Sequence, residues 1–297
     1  MSQIRIQASD LQDDGLEGNL NKFRTVANHT NSLVKKGKNV PGVDLAGDLF
    51  DMHLIYSYLA KVEKAFFEDN PEALEIIQKG ELTQEDWKKL SSFPGFDEVI
   101  GAKVPGLIGK IYQTQEEILS GIQTDVYGVT GNNDARFIKD VVNSVKFTDL
   151  EGRLVENGPF TILGANNTNY PEEEAFPGAL AQFAFPSDDD ADLEKSVAYQ
   201  KYNIGKTKKK ANIFLLHGPP NSVEMRGKHD NSAKGISKLI EEHKPDLVEC
   251  GHFHSARIVT KDGVTYARTS PNIYFEHHFN DGGRYQFTEI YRYQRAA

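Results

Sequence analysis

Apolar and polar residues alternate from Gln3 to Ala8, with Ile4, Ile6 and Ala8 on one face, which predicts a strand ending at Asp10. A polar loop over Asp13 to Gly18 leads into Asn19 to Lys36, where Leu20, Phe23, Val26 and Leu33 form the inner side of a helix. Gly42 to Ala46 is a short apolar run that stops at Gly47-Asp48, again a strand followed by a loop. From Asp51 the period changes: Met52, Ile55, Leu59, Val62 and Phe66 recur at spacings of three and four, a helical stripe. Asn70-Pro71 ends that helix and starts another, Gly80 stops it, and Thr83 with Asp86 three residues on marks a further start. Leu107, Ile108, Ile111 and Ile118 predict one more helix before Gly121. Strand signals return at Asp125 to Val129 and Val145 to Thr148, followed by a hairpin across Arg153 to Gly164. Ala165 to Lys210 reads as irregular. Ile213 to Leu216 and Leu247 to Cys250 read as strands around a helix at Ser232 to His243. The tail alternates through Arg257 to Thr260, Val264 to Arg268 and Arg284 to Tyr293.

Strand, helix and strand at the start make an α/β unit, and the helical stretch of about 51–123 interrupts it as an insertion or cap. With 297 residues the expectation is a single domain, 1–297. Hydrophobic residues are 38% and charged residues 26%, ordinary values for a globular chain. The formal net charge of −9 counts against a broad nucleic-acid surface, because Lys and Arg hold phosphate backbones. It leaves room for a phosphorylated substrate at a metal site, where the cation inverts the local charge. A single cysteine, Cys250, forbids an intrachain disulfide, and the N-terminus has no apolar signal region, so a cytoplasmic protein is expected. No apolar run approaches the length of a bilayer span.

The chemistry gathers where predicted strands end. Asp10 follows the first strand, and Gly47-Asp48-Leu49-Phe50-Asp51 follows the second. Gly131-Asn132-Asn133-Asp134 follows the strand ending at Val129, His217-Gly218-Pro219-Pro220 follows Leu216, and Gly251-His252-Phe253-His254 follows Cys250. Ligands of α/β sheets collect outside the carboxyl ends of strands, so five such loops can converge on one point. Carboxylates suit hard or borderline divalent ions and imidazoles suit transition metals. Two such ions can clamp the attacking and leaving oxygens of a phosphoryl displacement. Each loop alone is an ordinary turn or a strand-end histidine. Their conjunction in order carries the reading. Arg136 and the run Lys206 to Lys210 read as solvated charges, and Asp188 to Asp192 lacks the glycine and terminal Glu of a calcium loop. His277-His278 fits no ligand pattern and reads as surface or core edge.

The ordered series resembles the calcineurin-like metallophosphoesterase family, whose motifs run Asp-x-His, Gly-Asp-x-x-Asp, Gly-Asn-His-Asp/Glu, His and Gly-His-x-His. The His217-Gly218-Pro219-Pro220 segment is similar to the branch with His-Gly-Pro-Pro before the last motif. The match runs over about residues 3 to 275, apart from the helical insertion. The resemblance implies a four-layer α/β/β/α sandwich and two divalent ions (Mn, Fe, Zn or Ni, with Mn favoured). It places Asp10 and His254 on one metal, Asn132, His217 and His252 on the other, and Asp48 between them. It also assigns Asp51, Asn133 and Asp134 to the catalytic motifs. The activity implied is hydrolysis of a small phosphate ester, a diester in first place, by attack of metal-bound water.

Two positions depart from the family pattern. Gln12 stands where a histidine would hold the first metal, and its amide oxygen lacks imidazole affinity, which predicts a weaker first site. Asn133 stands where a histidine would protonate the leaving group. An amide does not titrate, and losing acid catalysis costs on the order of 10²–10⁴ in rate, most with poor leaving groups. His53 and His229 are the candidate replacement donors, against a plain reading as surface histidines. The rival functions are a binding or scaffold protein on an impaired site, which Gln12 and Asn133 support, and a nuclease, which the acidic balance opposes.

Overall fold

The alternation read in the first strand divides its residues between two different cores. In the structure, a computed structural model that describes residues 2–11, 15–49, 59, 63–79, 84–131, 134, 146–150, 153–165, 210–220 and 234–293, β1 is Gln3–Ala8. Its Ile4, Ile6 and Ala8 pack outward with α1 (Gly15–Lys35), through Phe23, Val26 and Ala27. Its Gln3, Arg5 and Gln7 turn the other way and are also buried. β2 (Asn39–Ala46) follows, then the helices α2 (Lys64–Asp69), α3 (Pro71–Ile77), α4 (Gln84–Ser91) and α5 (Phe96–Ser120). Phe67, Ile76, Leu90, Phe96, Ile108 and Tyr112 from these helices join the same outer core. β3 (Asp125–Val129) and β4 (Phe147–Asp149) come next, then the hairpin β5 (Arg153–Asn157) and β6 (Phe160–Ala165). β7 (Ile213–Leu216), α6 (Lys234–His243) and β8 (Leu247–Cys250) precede β9 (Arg257–Lys261), β10 (Val264–Arg268), β11 (Ile273–Phe279) and β12 (Tyr285–Arg292).

These strands form two six-stranded sheets, in the orders β12-β11-β1-β2-β3-β4 and β5-β6-β7-β8-β10-β9. Both are parallel at the centre and antiparallel at β1–β11, β11–β12, β5–β6 and β9–β10. The sheets pack face to face through Ala46, Tyr127, Val129, Phe160, Ile213, Leu215, Ala267, Phe275 and Phe279. Ile240 of α6 covers the outer face of the second sheet with Phe214, Leu216 and Val248. Helices, sheet, sheet and helix make the four-layer α/β/β/α sandwich. No helix among the described residues is long and apolar enough to cross a membrane.

A buried ion pair sits between the sheets. Arg5 donates to both oxygens of Asp44 at 2.6 and 2.7 Å, and its guanidinium lies over the rings of Tyr127 and Phe160. Burial together with the Asp44 charge holds the neighbouring Glu249 carboxyl well above its ordinary range. Replacing such pairs by apolar groups is often neutral, whereas removing one partner strands a buried charge.

Several sequence expectations shift against this fold. α1 begins at Gly15, earlier than the Asn19 start read from periodicity. The helix read from Leu107 begins at Phe96 and runs through Pro105. The proline removes one backbone hydrogen bond, which the packing of Val104, Ile108 and Tyr112 offsets. β11 was not expected, and it carries His277 and His278. His277 is fully buried between the sheets, with its Nε2 2.9 Å from Gln7 Oε1 and its Nδ1 2.7 Å from Thr288 Oγ1, so the surface reading fails there. Most of the stripe 52–66, Thr83, Arg136, residues 206–209, residues 188–192, His53 and His229 lie outside the described residues.

Candidate metal centre

Four ligand-type side chains sit at sharp backbone turns just past their strands. Among the described residues six non-glycines have left-handed φ, and four of them are Asp10 (φ 51°), Asp48 (φ 50°), His252 (φ 72°) and His254 (φ 48°). That conformation costs an ordinary residue of order 1–3 kcal/mol and persists where the surroundings impose it, most often at functional sites. The strands that deliver these residues are parallel neighbours, β1 beside β2 in one sheet and β7 beside β8 in the other. All the turns therefore open at one end of the sandwich.

Hydrogen bonds tie the turns together. Asp10 N–H donates to Gly47 O at 3.1 Å and Leu11 N–H to Asp48 O at 3.0 Å, joining the loops after β1 and β2. Asn19 of α1 donates to Leu11 O and Leu49 O, and Gln115 of α5 donates to Asn19 Oδ1 and Leu49 O. Across the sheets, His252 N–H donates to Asp10 Oδ1 and Oδ2 at 2.9 and 3.0 Å. Ser9 Oγ donates to Asp10 Oδ2 at 2.5 Å and lies 2.6 Å from Thr269 Oγ1. Arg268 of β10 holds the last loop, donating to Ser255 O and Ser255 Oγ at 2.7 Å with its guanidinium over the Phe253 ring.

Two glycines let the loops close in. A Cβ at Gly131 would land on the carboxylate and amide of Asp48, and a Cβ at Gly251 would land on Ser9 Oγ and the Asp10 carboxylate. Gly131 thus brings the third loop against the second. Asp134 is buried in that loop and accepts the Gly131 N–H at 2.6 Å.

Asp10 and Asp48 are buried, and one oxygen of each lies within 4.8 Å of the other and of a ring nitrogen of the exposed His254. His254 Nε2 is 3.6 Å from Asp10 Oδ1. His217 is fully buried, its Nδ1 2.8 Å from Ala46 O and its Nε2 3.2 Å from Asp48 Oδ1. A carbonyl partner on Nδ1 fixes the tautomer that leaves Nε2 to face the site. The His252 ring packs edge-on to His217, with centroids 5.2 Å apart.

The charges show what the cluster suits. Burial, with the like charge of Asp48, pushes Asp10 up to about 6 despite His217, His254 and Ser9. Burial works against a charged His217, yet the charge and hydrogen bond of Asp48 raise it to about 9. Burial and the neighbouring His217 push His252 down to about 3, so its imidazole is neutral. Two buried carboxylates facing each other beside neutral imidazole nitrogen are a donor set for a divalent cation, which relieves the carboxylate repulsion and replaces the proton on His217.

Of the residues expected from sequence, the structure gathers Asp10, Asp48, His217, His252 and His254, and places Asp134 behind Gly131. Gln12, Asp51, Asn132 and Asn133 lie outside the described residues. Sequence reasoning did not find Ser9, Thr269, Arg268, Asn19 or Gln115. Ser9 precedes a candidate ligand directly. The others act across long sequence separations and carry no local signal.

A scan against protein-family models finds no match, and a search of curated proteins finds none either. Solved structures do share the fold. The Thermus thermophilus protein TT1561 aligns with a TM-score of 0.57 at 14% identity, over 99% of this chain and 100% of that one. A putative 5′-nucleotidase from Staphylococcus aureus aligns at 0.55 and 11% identity, over 100% of this chain and 55% of that one. The phosphopantetheinyl hydrolase of Mycobacterium tuberculosis aligns at 0.51 and 11% identity, over 91% of this chain and 90% of that one.

Proposed function

We propose that this chain, which has the fold of the calcineurin-like phosphoesterases, is a metal-dependent phosphoesterase acting on a small phosphate ester, with diesters favoured. The observation that carries the proposal is the convergence of Asp10, Asp48 and His254, all in left-handed backbone conformations, on one point beside His217. Divalent cations, with Mn²⁺ favoured, supply Lewis acidity at the phosphoryl group and acidify water at neutral pH. Asp10 and His254 would hold one side of the centre and His217 and His252 the other, with Asp48 facing both. Ala46 O aims His217, and Ser9 and the His252 amide aim Asp10. Asn133 carries no titrating proton where the family pattern has a histidine, which favours substrates with good leaving groups.

The test is turnover of an activated aryl phosphodiester by chelator-treated protein with Mn²⁺ restored. The expected result is Mn²⁺-dependent hydrolysis that falls by at least 10²-fold in Asp48→Asn. Comparable turnover of an alkyl ester would contradict the leaving-group preference. No turnover with any divalent ion would replace this reading by a binding or scaffold role on an impaired site.

A further inference from the structure

β11 and β12 pair so that Glu276 stands directly opposite Glu289, and His278 follows Glu276 by two residues on the same face. This face looks outward toward α1, away from the inter-sheet core that takes Phe275, His277 and Phe279. One carboxylate oxygen each of Glu276 and Glu289 and one ring nitrogen of His278 all lie within 4.8 Å of one another. His278 Nε2 is 3.0 Å from Glu276 Oε1 and 3.5 Å from Glu289 Oε1.

Those separations have a metric meaning. Two ligands about 2.05 Å from a tetrahedral ion stand about 3.3 Å apart. His278 Nε2 is buried and makes no hydrogen bond, so its ring is aimed squarely at neither oxygen. A lone pair directed between two oxygens has that arrangement.

The outer oxygens are held in place. His29 of α1 meets Glu276 Oε2 through Nε2 at 2.9 Å, which leaves Glu276 Oε1 toward His278. The Tyr291 hydroxyl donates to Glu289 Oε2 at 2.7 Å, which leaves Glu289 Oε1 toward His278. Phe287 stacks on the His278 ring with centroids 4.2 Å apart and planes 12° from parallel, which sets the plane of the imidazole. Hydrogen bonds on the outer atoms of ligands are what orient carboxylates and imidazoles at metal sites. Among the described residues no lysine or arginine is paired with Glu276 or Glu289. Glu276 is nearly buried and Glu289 is 48% exposed, so the open side of the cluster faces water.

We propose that Glu276, His278 and Glu289 form a second, independent metal site for a borderline divalent ion of the Zn²⁺ class, completed by water and clasping β12 to β11. One imidazole with two carboxylates and an open position is a donor set this ion accepts. The site shares no residue with the candidate phosphoesterase centre and does not depend on it.

The test counts bound Zn²⁺, and Co²⁺ as its coloured probe, on chelator-stripped full-length chain. His278→Gln lowers the bound metal by one ion per chain and leaves aryl phosphodiester turnover unchanged. The variant Asp48→Asn/His254→Ala, which disables the first centre, retains one ion and its Co²⁺ absorption band, and adding His278→Gln removes both. His29→Ala weakens that ion by about 10–100-fold, as loss of an orienting partner does. Equal metal content and affinity in wild type and His278→Gln would overturn the proposal and show a plain His–Glu ion-pair cluster. If Asp48→Asn/His254→Ala fails to fold, the wild-type and His278→Gln comparison decides alone. Absent turnover with an intact His278-dependent ion would overturn the proposed function and leave this site standing.

Discussion

At the residue scale the most informative side chains are those whose charge state the fold overrides. His277 is surrounded by Gln7, Thr288 and the aromatic rings of Phe275 and Tyr285, with Glu249 Oε1 3.5 Å from its Nε2. Burial above all, with the positive charge of Arg5, pushes it from 6.5 down to about 3. A histidine with a depressed folded pKa binds fewer protons folded than unfolded between these values. Its contribution is therefore fully present above about 6.5 and is lost as pH falls toward 3. Over that window each pH unit costs about 1.4 kcal/mol of stability. His277→Gln retains hydrogen-bonding capacity without titrating, so its unfolding free energy falls less steeply with acid by about that amount per unit. Urea unfolding of both proteins at several pH values measures the difference. Equal slopes would mean that His277 is protonated in the fold, paired with Glu249.

At the scale of elements, the site depends on how closely loops from different strands approach. Gly131 and Asp48 come from turns after adjacent parallel strands, and the space for a side chain at 131 is already filled by the Asp48 carboxylate and amide. Gly131→Ala must displace backbone as well as a carboxylate, at a cost of about 1–3 kcal/mol. Because the displaced group is a candidate ligand, the expected result is a Tm loss together with at least a tenfold loss of Mn²⁺ affinity. A variant that loses stability and binds Mn²⁺ normally would show that Asp48 is not a ligand. The same scale explains what the sequence disclosed. Asp10, Asp48, His217 and the His252-Phe253-His254 loop each follow a short apolar run, so strand ends and ligands were read together. β11 escaped because both of its faces are buried, and Glu276, His277 and His278 interrupt the alternation with polar types. Pro105 hid the first half of α5. Arg268, Thr269, Asn19 and Gln115 were invisible because what they do is set by partners that only folding brings near.

For the whole molecule, the decisive feature is that the candidate centre draws its side chains from both sheets. Asp10 and Asp48 leave β1 and β2 of one sheet, whereas His217, His252 and His254 leave β7 and β8 of the other. The described hydrogen bonds between these ends include the His252 amide to Asp10 and the Ser9–Thr269 pair. An ion held by both sets would cross-link the two layers at the end where buried carboxylates oppose each other. Binding to the folded state alone stabilises by about 2.7 kcal/mol at a hundredfold excess over Kd. For a chain of this size that corresponds to a Tm rise on the order of 5 °C. The unfolded chain scatters the ligands, so the rise grows with the logarithm of Mn²⁺ concentration. Calorimetry of chelator-treated protein across a Mn²⁺ series tests this. Asp48→Asn should abolish most of the rise, because Asp48 faces both halves of the centre, and His278→Gln should leave that Asp48-dependent part in place. A rise untouched by Asp48→Asn would place the stabilising ion away from the junction of the sheets, and the two layers would then be held by their apolar core and by Arg5, which reaches Asn157 and Phe160 of the second sheet, without help from a metal.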